Sequence, residues 1–309
     1  MKHLISSEQF TAELLHELFV LADQMKSHPR DFDDILKHKV VATLFYEPST
    51  RTRLSFESAV QRLGAKLIST ENAREMSSAI KGENIMDSIR VVQGYCDAII
   101  LRHYENDAAL KATEVARVPV INAGGGTGEH PTQALLDLYT IHSFKGKIAG
   151  SKVAVLGDLK NGRTIHSLLK GLALYSDIEV FGLSRKGLEL PDEYIHYLNE
   201  RGITYHALSS LEDIPASVDM LYHTRTQTER MNGEQAGSGE IIIDQAAMNR
   251  FSDQSLLMHP LPRNQEITPE VDSDPRAIYF KQSENGLFIR MALLYSLLTD
   301  EGKKMREEE

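Results

Sequence analysis

The sequence predicts an α/β fold made of two doubly wound domains, each a parallel sheet with helices on both faces. Two observations lead to this prediction. Apolar runs of strand length alternate with amphipathic helical patterns along nearly the whole chain, an order typical of parallel sheets with crossover helices. The chain has 309 residues, which is too long for one small core and suits two domains of about 150 residues each.

The predicted strands are short runs rich in β-branched and aliphatic residues. They lie near 40–46, 66–70, 97–102, 118–122, 152–157, 178–183, 203–207, 218–223 and 255–259. The predicted helices carry apolar residues at i, i+3, i+4 and i+7. They lie near 7–26, 51–63, 84–94, 107–116, 131–144, 163–175, 191–200, 244–250 and 286–300.

The domain boundary is expected in the helix that follows the glycine-rich run 124–128. We therefore expect a first domain over 1–131 together with 286–309, and a second domain over 132–285. The last helix joins the first domain in this division because it carries a long apolar stripe that must be covered. The stripe consists of Leu287, Met291, Leu294 and Leu298.

Composition excludes several classes of function. The net charge of −10 argues against a nucleic-acid-binding surface. The single cysteine, Cys96, lies in an apolar stretch, so a disulfide within the chain and a cysteine-based zinc site are both excluded. We expect neither a metal nor a cofactor.

The N-terminal segment predicts an amphipathic helix rather than a signal peptide, because charged residues interrupt the apolar positions Leu14, Leu18 and Leu21. No stretch approaches the roughly 18 apolar residues of a membrane-spanning helix. We therefore expect no membrane association and a cytoplasmic location.

The segment after the first predicted strand has the features of an anion site. The strand stops at Glu47 and Pro48, and a good N-cap residue opens the helix that follows. The first N–H groups of a helix lack internal partners, and the helix dipole favours negative charge. An ordinary capped helix with a solvated arginine is the alternative. We expect a phosphate site, called here the anion cradle, at Ser49, Thr50, Arg51 and Thr52.

Polar side chains also follow five later predicted strands. In open α/β sheets, ligands bind beyond the carboxyl ends of the strands, so we expect one active site in the cleft between the two domains. Arg163 supports this expectation, because a cation at a helix start is disfavoured by the helix dipole unless an anion binds there. The candidates at these strand ends are Arg102, His130, Gln133, Arg163, Arg225, Gln227, Leu261 and Pro262.

Taken together, these motifs resemble the aspartate and ornithine carbamoyltransferase family. The run 45–53, Phe-Tyr-Glu-Pro-Ser-Thr-Arg-Thr-Arg, is similar to the carbamoyl-phosphate signature of that family. The motifs His-Pro-Thr-Gln at 130–133, Gly-Asp-Leu-Lys at 157–160, Arg-Thr-Gln at 225–227 and His-Pro-Leu-Pro at 259–262 follow in order. The resemblance covers nearly the whole chain and implies carbamoyl transfer from carbamoyl phosphate to an amino acid.

The resemblance also implies a role for each residue. Arg51, Thr52, Arg102 and His130 would be catalytic, with His130 donating a hydrogen bond to the carbamoyl oxygen. Gln133 and the backbone at Leu261 and Pro262 would orient the carbamoyl amine. The phosphate would be held by Ser49, Thr50, Arg51, Thr52 and Arg102, and aspartate by Arg163, Arg225 and Gln227.

Within the family, the sequence favours aspartate as the acceptor. An ornithine carbamoyltransferase would require a cysteine in the late His-x-Leu-Pro motif, where this chain has Pro260. Arg225 and Gln227 suit a substrate with a side-chain carboxylate. Ornithine carbamoyltransferase and a nicotinamide-dependent oxidoreductase are the alternatives. The turn Gly-Asp-Leu-Lys-Asn-Gly-Arg at 157–163 departs from the G-x-G-x-x-G pattern that the oxidoreductase requires.

Ser77 and Lys81 lie in a polar loop at 76–83 without clear periodicity. Their own surroundings in the sequence indicate no more than a surface loop with a solvated lysine. The resemblance implies that this loop reaches the active site of a neighbouring subunit, where both residues contact the phosphate and Lys81 also contacts aspartate. A homotrimer with shared active sites would follow. Some members of the family also assemble with separate regulatory chains, and the sequence leaves that partner open.

Overall fold

The computed structural model describes residues 1–73, 82–126, 128–226 and 240–306. The chain divides into two compact units, one of Met1–Tyr139 with Glu284–Glu309 and the other of Thr140–Ser283. The chain leaves the first unit within a helix at Pro131–Lys145 and returns to it within a helix at Tyr279–Leu298. Each unit has its own parallel sheet.

The sheet of the first unit has four parallel strands in the order β2-β1-β3-β4. The strands are β1 (Val40–Phe45), β2 (Lys66–Thr70), β3 (Ala98–His103) and β4 (Val120–Gly125). The three strands other than β2 are buried almost throughout, because helices cover both faces of such a sheet. The helices are α1 (Ala12–Ser27), α2 (Thr50–Arg62), α3 (Ile85–Val92), α4 (Ala108–Val115) and α5 (Pro131–Lys145), which enters the second unit.

The sheet of the second unit has five parallel strands in the order β7-β6-β5-β8-β9. The strands are β5 (Lys152–Gly157), β6 (Glu179–Ser184), β7 (Thr204–Leu208), β8 (Met220–His223) and β9 (Leu256–Met258). The helices of this unit are α6 (Arg163–Leu172), α7 (Asp192–Glu200) and α8 (Gln245–Met248). Helix α9 (Tyr279–Leu298) then returns to the first unit, which also contains α10 (Asp300–Met305). The prediction of an α/β fold with two doubly wound parallel sheets is confirmed.

Each sheet has one point where the order of the strands reverses. In the first unit it lies between β1 and β3, where Phe45 pairs with Arg102. In the second unit it lies between β5 and β8, where Leu156 pairs with His223. The helices after these strands leave on opposite faces, which opens a crevice beyond the carboxyl ends. The residues that follow β1, β3, β5 and β8 are therefore placed for ligand binding.

Helix α9 begins at Tyr279 rather than near residue 286. The apolar periodicity hides this first turn, because the buried residue Gln282 is polar. Its N–H donates to the carbonyl oxygen of Ile278 at 2.7 Å, and its side-chain oxygen accepts the N–H of His259 at 2.9 Å. A buried amide that is satisfied by the backbone leaves no apolar signal in the sequence.

Candidate functional site

The anion cradle lies where β1 passes into α2, and its side chains differ in exposure. Helix α2 begins at Thr50, with Ser49 as the residue before it. Ser49 is the N-cap residue of α2, as expected, and its side chain makes no capping hydrogen bond. Thr50 and Arg51 are exposed, and Thr52 is buried. The first turn contains no acidic residue, so its backbone N–H groups and dipole favour an anion.

Two arginines lie on this first part of α2, and the structure assigns them different surroundings. Arg53 contacts two carboxylates, that of Glu57 at 3.3 Å and that of Glu71 at 2.9 Å. Glu57 also accepts a hydrogen bond from Ser69 Oγ at 2.6 Å, which ties α2 to strand β2. Arg53 is therefore part of the scaffold, and Arg51 is the exposed cation of the cradle.

Arg102 is the penultimate residue of β3 and is brought next to the cradle segment by the pairing of β3 with β1. Its side chain is buried. One terminal nitrogen donates to the carbonyl oxygen of Ala123 at 3.3 Å, and the other lies 3.4 Å from a carboxylate oxygen of Glu47. Because Glu47 comes two residues before Ser49 in the sequence, this ion pair places the guanidinium beside the turn that leads into the cradle.

Gly124 brings His130 and Arg102 together. Its φ is +107°, and a Cβ at this position would lie 2.9 Å from Arg102 Nη1 and 3.1 Å from His130 Cδ2. Both side chains therefore pack against the bare α-carbon of Gly124. His130 is buried directly before α5, and its carbonyl oxygen accepts the N–H of Gln133 at 2.9 Å. The imidazole thus lies within one cluster of donors with the guanidinium of Arg102.

The amide of Gln133 is oriented by a buried charge. Its Nε2 donates to Asp137 Oδ1 at 2.9 Å, so its carbonyl oxygen faces away from Asp137. Asp137 is fully buried. Burial lowers the pKa of Arg290 to about 10, and the charge of Asp137 opposes that shift. The Arg290 guanidinium also lies over the ring of Phe56 in α2, 5.0 Å from its centroid.

Gly157 and Asp158 shape the corresponding region of the second unit at the end of β5. Gly157 has φ of +105°, and a Cβ there would lie 2.0 Å from the carbonyl oxygen of Thr224. The backbones that follow β5 and β8 therefore touch. Asp158 is fully buried and accepts the N–H of Asn161 at 2.9 Å, which folds the loop that leads to Arg163.

The two described arginines of this region follow neighbouring strands. Arg163 is the first residue of α6 and is only 7% exposed. Arg225 lies two residues beyond β8, is half-buried, and donates to the carbonyl oxygen of Thr226 at 3.3 Å. The end of β5 and the end of β8 thus each supply one guanidinium.

Leu261 and Pro262 follow β9. Leu261 is half-buried and packs against the core of the second unit, its φ is +54°, and its peptide bond to Pro262 is cis. Its N–H donates to His259 Nδ1 at 2.8 Å. The buried ring of His223 lies nearby, 6.3 Å from that of His259. Burial, with the neighbouring His259, lowers the pKa of His223 to about 4.

The predicted site residues thus fall into two groups. The first unit contains Ser49, Thr50, Arg51, Thr52, Arg102, His130 and Gln133, and the second contains Arg163, Arg225, Leu261 and Pro262. Ser77, Lys81 and Gln227 lie outside the described residues.

Sequence reasoning missed three supporting carboxylates. Asp137 had a detectable signal, because it lies four residues after Gln133 on a predicted helix. The sequence does not show which arginine Glu47 contacts, because Arg102 lies far along the chain. Glu266, which contacts His259 at 2.9 Å, carried no signal.

The part of the chain that the structure describes contains no group of three or more histidine, cysteine, aspartate or glutamate side chains that could hold a metal ion. Within the same residues, no helix is both long and apolar enough to cross a membrane.

Comparison with known protein families gives matches over both units. Residues 2–143 match the model of the aspartate/ornithine carbamoyltransferase carbamoyl-P binding domain. Residues 149–297 match the model of the Asp/Orn binding domain of the same enzymes.

Individual relatives agree with the family models. The chain is 48% identical to the chloroplastic aspartate carbamoyltransferase of Arabidopsis thaliana, over 96% of this chain and 78% of that protein. It is 43% identical to the aspartate carbamoyltransferase catalytic subunit of Clostridium novyi, over 96% of this chain and 98% of the relative. Among solved structures, aspartate transcarbamoylase from Trypanosoma cruzi in complex with carbamoyl phosphate and aspartate superposes with a TM-score of 0.91, at 40% identity, over 96% of this chain and 97% of that one.

Proposed function

Because the chain belongs to the aspartate/ornithine carbamoyltransferase family, we propose that it transfers the carbamoyl group of carbamoyl phosphate to the amino group of L-aspartate. The products are N-carbamoyl-L-aspartate and phosphate, in an early step of de novo pyrimidine biosynthesis. The observation that carries the proposal is the anion cradle on α2, next to the cluster of Arg102 and His130 around Gly124. Aspartate is the acceptor in the similar proteins of Arabidopsis, Clostridium and Trypanosoma, which favours it over ornithine.

The first unit is the proposed carbamoyl-phosphate-binding domain. The phosphate carries about two negative charges, and the first turn of α2 offers it backbone N–H groups, hydroxyl groups and the exposed guanidinium of Arg51. Arg102 adds a second guanidinium from the end of β3. These fixed cations stabilise the phosphate further as it departs and gains charge.

His130 is the proposed donor to the carbamoyl oxygen. Negative charge develops on this oxygen when the carbonyl carbon becomes tetrahedral, and one such donor contributes about 10²–10³-fold to the rate. Gln133 presents its carbonyl oxygen on the side away from Asp137, where it can accept a hydrogen bond from the carbamoyl amine. The carbonyl oxygen of Leu261 is the second proposed acceptor for that amine.

The second unit is the proposed aspartate-binding domain. Arg163, Arg225 and Gln227 would bind the two carboxylates of aspartate. The buried position of Arg163 at the start of α6 supports this role, because the helix dipole disfavours a cation there unless an anion compensates it. Ornithine has an amine in place of the side-chain carboxylate, so the same cations would repel it.

The chemistry needs no protein nucleophile. The deprotonated amine of aspartate attacks the carbonyl carbon, a C–N bond forms, and the C–O bond to phosphate breaks with its electron pair leaving on the phosphate. Once the C–N bond has formed, the nitrogen gives up a proton to the departing phosphate, which leaves as hydrogen phosphate. Positioning the two substrates and stabilising the developing charge can supply most of the acceleration.

A homotrimer with shared active sites is also part of the proposal, with Ser77 and Lys81 acting in a neighbouring subunit. Inactive Lys81→Ala and His130→Ala chains, mixed under conditions that exchange subunits, should regain activity through hybrid trimers. Sedimentation measures the mass of the assembly, and a lack of recovery after demonstrated exchange would contradict sharing. A cytoplasmic location remains a prediction, which imaging of the tagged chain would test.

The proposed activity is tested by phosphate release from carbamoyl phosphate. We expect release with L-aspartate and essentially none with ornithine, which would be the preferred acceptor under the alternative within the family. Nicotinamide fluorescence should not change on titration with the chain, whereas the oxidoreductase alternative requires that it does. Phosphate release with ornithine alone, or with neither amino acid, would contradict the proposal.

A further inference from the structure

The backbone at Leu261 has a conformation that a leucine does not favour on its own. Its φ of +54° lies in the left-handed region, which is disfavoured for a residue with a Cβ. Such a conformation persists only where the surroundings fix it. The surroundings here are specific, because the Leu261 N–H donates to Nδ1 of His259 at 2.8 Å.

The second ring nitrogen of His259 determines which nitrogen carries the proton. Nε2 lies 2.9 Å from Oε1 of Glu266, and both residues are buried. Because Nδ1 accepts the N–H of Leu261, the ring proton lies on Nε2 and is donated to the carboxylate. Glu266 thus fixes His259 in the tautomer that can accept from Leu261.

Glu266 and His259 are themselves held in place. The other oxygen of Glu266 accepts the N–H of Asn264 at 3.0 Å, and the N–H of His259 donates to the side chain of Gln282 in α9 at 2.9 Å. Burial acts to raise the pKa of Glu266, but the hydrogen bond with His259 and the hydrogen bonds from backbone N–H groups together outweigh it, and the pKa lies below its usual value. The carboxylate therefore remains an acceptor near neutral pH.

We propose that His259 is a positioning residue: held in one tautomer by Glu266, it fixes the Leu261 backbone so that the Leu261 carbonyl oxygen accepts a hydrogen bond from the carbamoyl amine. This inference rests on the proposed function, which assigns that carbonyl to the carbamoyl group. The consequence is selectivity, since an acyl phosphate with an amine on its carbonyl carbon is favoured over one with a methyl group.

Two substitutions of His259 separate this role from general packing. Asparagine places its amide oxygen near the position of Nδ1, so His259→Asn keeps an acceptor for the Leu261 N–H. Glutamine reaches the position of Nε2, so His259→Gln keeps a partner for Glu266 and removes the acceptor for Leu261. Both variants lose the ring, and only the second loses the proposed function of the ring.

The test uses carbamoyl phosphate and acetyl phosphate, which carry an amine and a methyl group respectively on the carbonyl carbon. Their dissociation constants are measured by calorimetry in fresh solutions without aspartate. In His259→Gln, the preference for carbamoyl phosphate should fall by about tenfold, the value of one hydrogen bond, with acetyl phosphate binding as in the unmodified chain. In His259→Asn the preference should stay within about twofold. An unchanged preference in His259→Gln would overturn the inference.

The outcomes separate this inference from the proposed function. If the unmodified chain releases no phosphate from carbamoyl phosphate with aspartate, the proposed function fails. If it does so and the preference of His259→Gln is unchanged, only the positioning role fails. Should His259→Gln not fold by circular dichroism, the tautomer is read from the ¹⁵N shifts of His259 in the unmodified chain. A proton on Nδ1 would then overturn the inference, and a proton on Nε2 would support it.

Discussion

Helices α2 and α6 each begin beside a reversal in strand order, and each carries an arginine and no acidic residue in its first turn. They differ in how that arginine is held. Arg51 is exposed on α2, whereas Arg163 is 7% exposed on α6. The loop before Arg163 is also tightly built, because Asp158 is fully buried and Gly157 touches Thr224.

Helices α2 and α6 thus place a cation at a helix start, where the dipole disfavours it, in two different ways. Arg51 is exposed, so its removal should affect binding and leave the fold intact. A buried arginine depends on the packing of the loop around it, so changes in that loop should affect stability and binding together. Function and stability are therefore expected to be separable in the first unit and coupled in the second.

The largest expected effect is that of Arg51→Ala on catalysis. Loss of a charge-assisted donor to the phosphate should lower kcat/KM by about 10³-fold. The free energy of unfolding should change by no more than about 0.5 kcal/mol, because the side chain is exposed. Steady-state phosphate release and urea unfolding measure the two quantities.

Arg53→Ala is the matched control on the same helix. Arg53 contacts Glu57 and Glu71, so its loss should cost about 1 kcal/mol of stability and only a few-fold in activity. Near-normal turnover in Arg51→Ala, or equal losses in both variants, would contradict the separation of function from stability in the first unit.

In the second unit, Gly157→Ala should destabilise the fold by about 3 kcal/mol. The added Cβ would lie 2.0 Å from the carbonyl oxygen of Thr224, so the backbone itself must move. Gly187→Ala is the control, since Gly187 has φ of +87° and no neighbouring atom within 4 Å of such a Cβ. The free energy of unfolding of Gly187→Ala should fall by only about 1 kcal/mol, the cost of placing a Cβ at a positive φ. Similar unfolding midpoints for the two variants would contradict the close approach.

The stability of the second unit should also depend on pH through His223. Its pKa in the folded chain is about 4, lowered by burial and by His259, against about 6.5 in the unfolded chain. The unfolded chain therefore takes up the proton first as the pH falls. Stability from this group is present above about pH 6.5 and is lost towards pH 4, by about 2 kcal/mol between pH 7 and pH 5. Urea unfolding of the unmodified chain and of His223→Asn at the two pH values measures this loss of stability. An equal loss in the two chains would show that groups other than His223 cause it.

The smallest effect is expected for Gly124→Ala in the first unit. The added Cβ would lie 2.9 Å from Arg102 Nη1 and 3.1 Å from His130 Cδ2, so the two side chains must shift by a few tenths of an ångström. We expect kcat/KM to fall by about tenfold and stability by about 1 kcal/mol. Gly146→Ala, at φ of +73° with nothing within 4 Å of the new Cβ, controls for the backbone cost. Equal activity in the two variants would mean that Gly124 does not set the distance between Arg102 and His130.

The sequence was sufficient to predict the two parallel sheets, because their central strands are buried and read as continuous apolar runs. The anion cradle was visible for a related reason, since hydroxyl groups and an arginine stood at the junction of one such run with an amphipathic helix. Both signals are local in the chain.

The details that escaped prediction depend on contacts between residues distant in the sequence. The sequence places Arg51 and Arg53 in the same motif, and the approach of Glu71 from beyond β2, which adds to the pair of Arg53 with Glu57, is not visible in it. The early start of α9 depends on the hydrogen bond of Gln282 with His259. Neither contact leaves a periodic pattern, because a buried polar pair is specified by geometry rather than by hydrophobicity.

The discontinuity of the first unit has a consequence for the order in which the chain is assembled. Phe56 and Asp137 are synthesised long before Arg290, which lies over the ring of the former and within the electrostatic reach of the latter. A chain emerging from the ribosome would bury Asp137 without its countercharge if the first unit closed early. Helix α9 therefore completes the first unit late, because Arg290 reaches Phe56 of α2 only after the whole second unit has been synthesised.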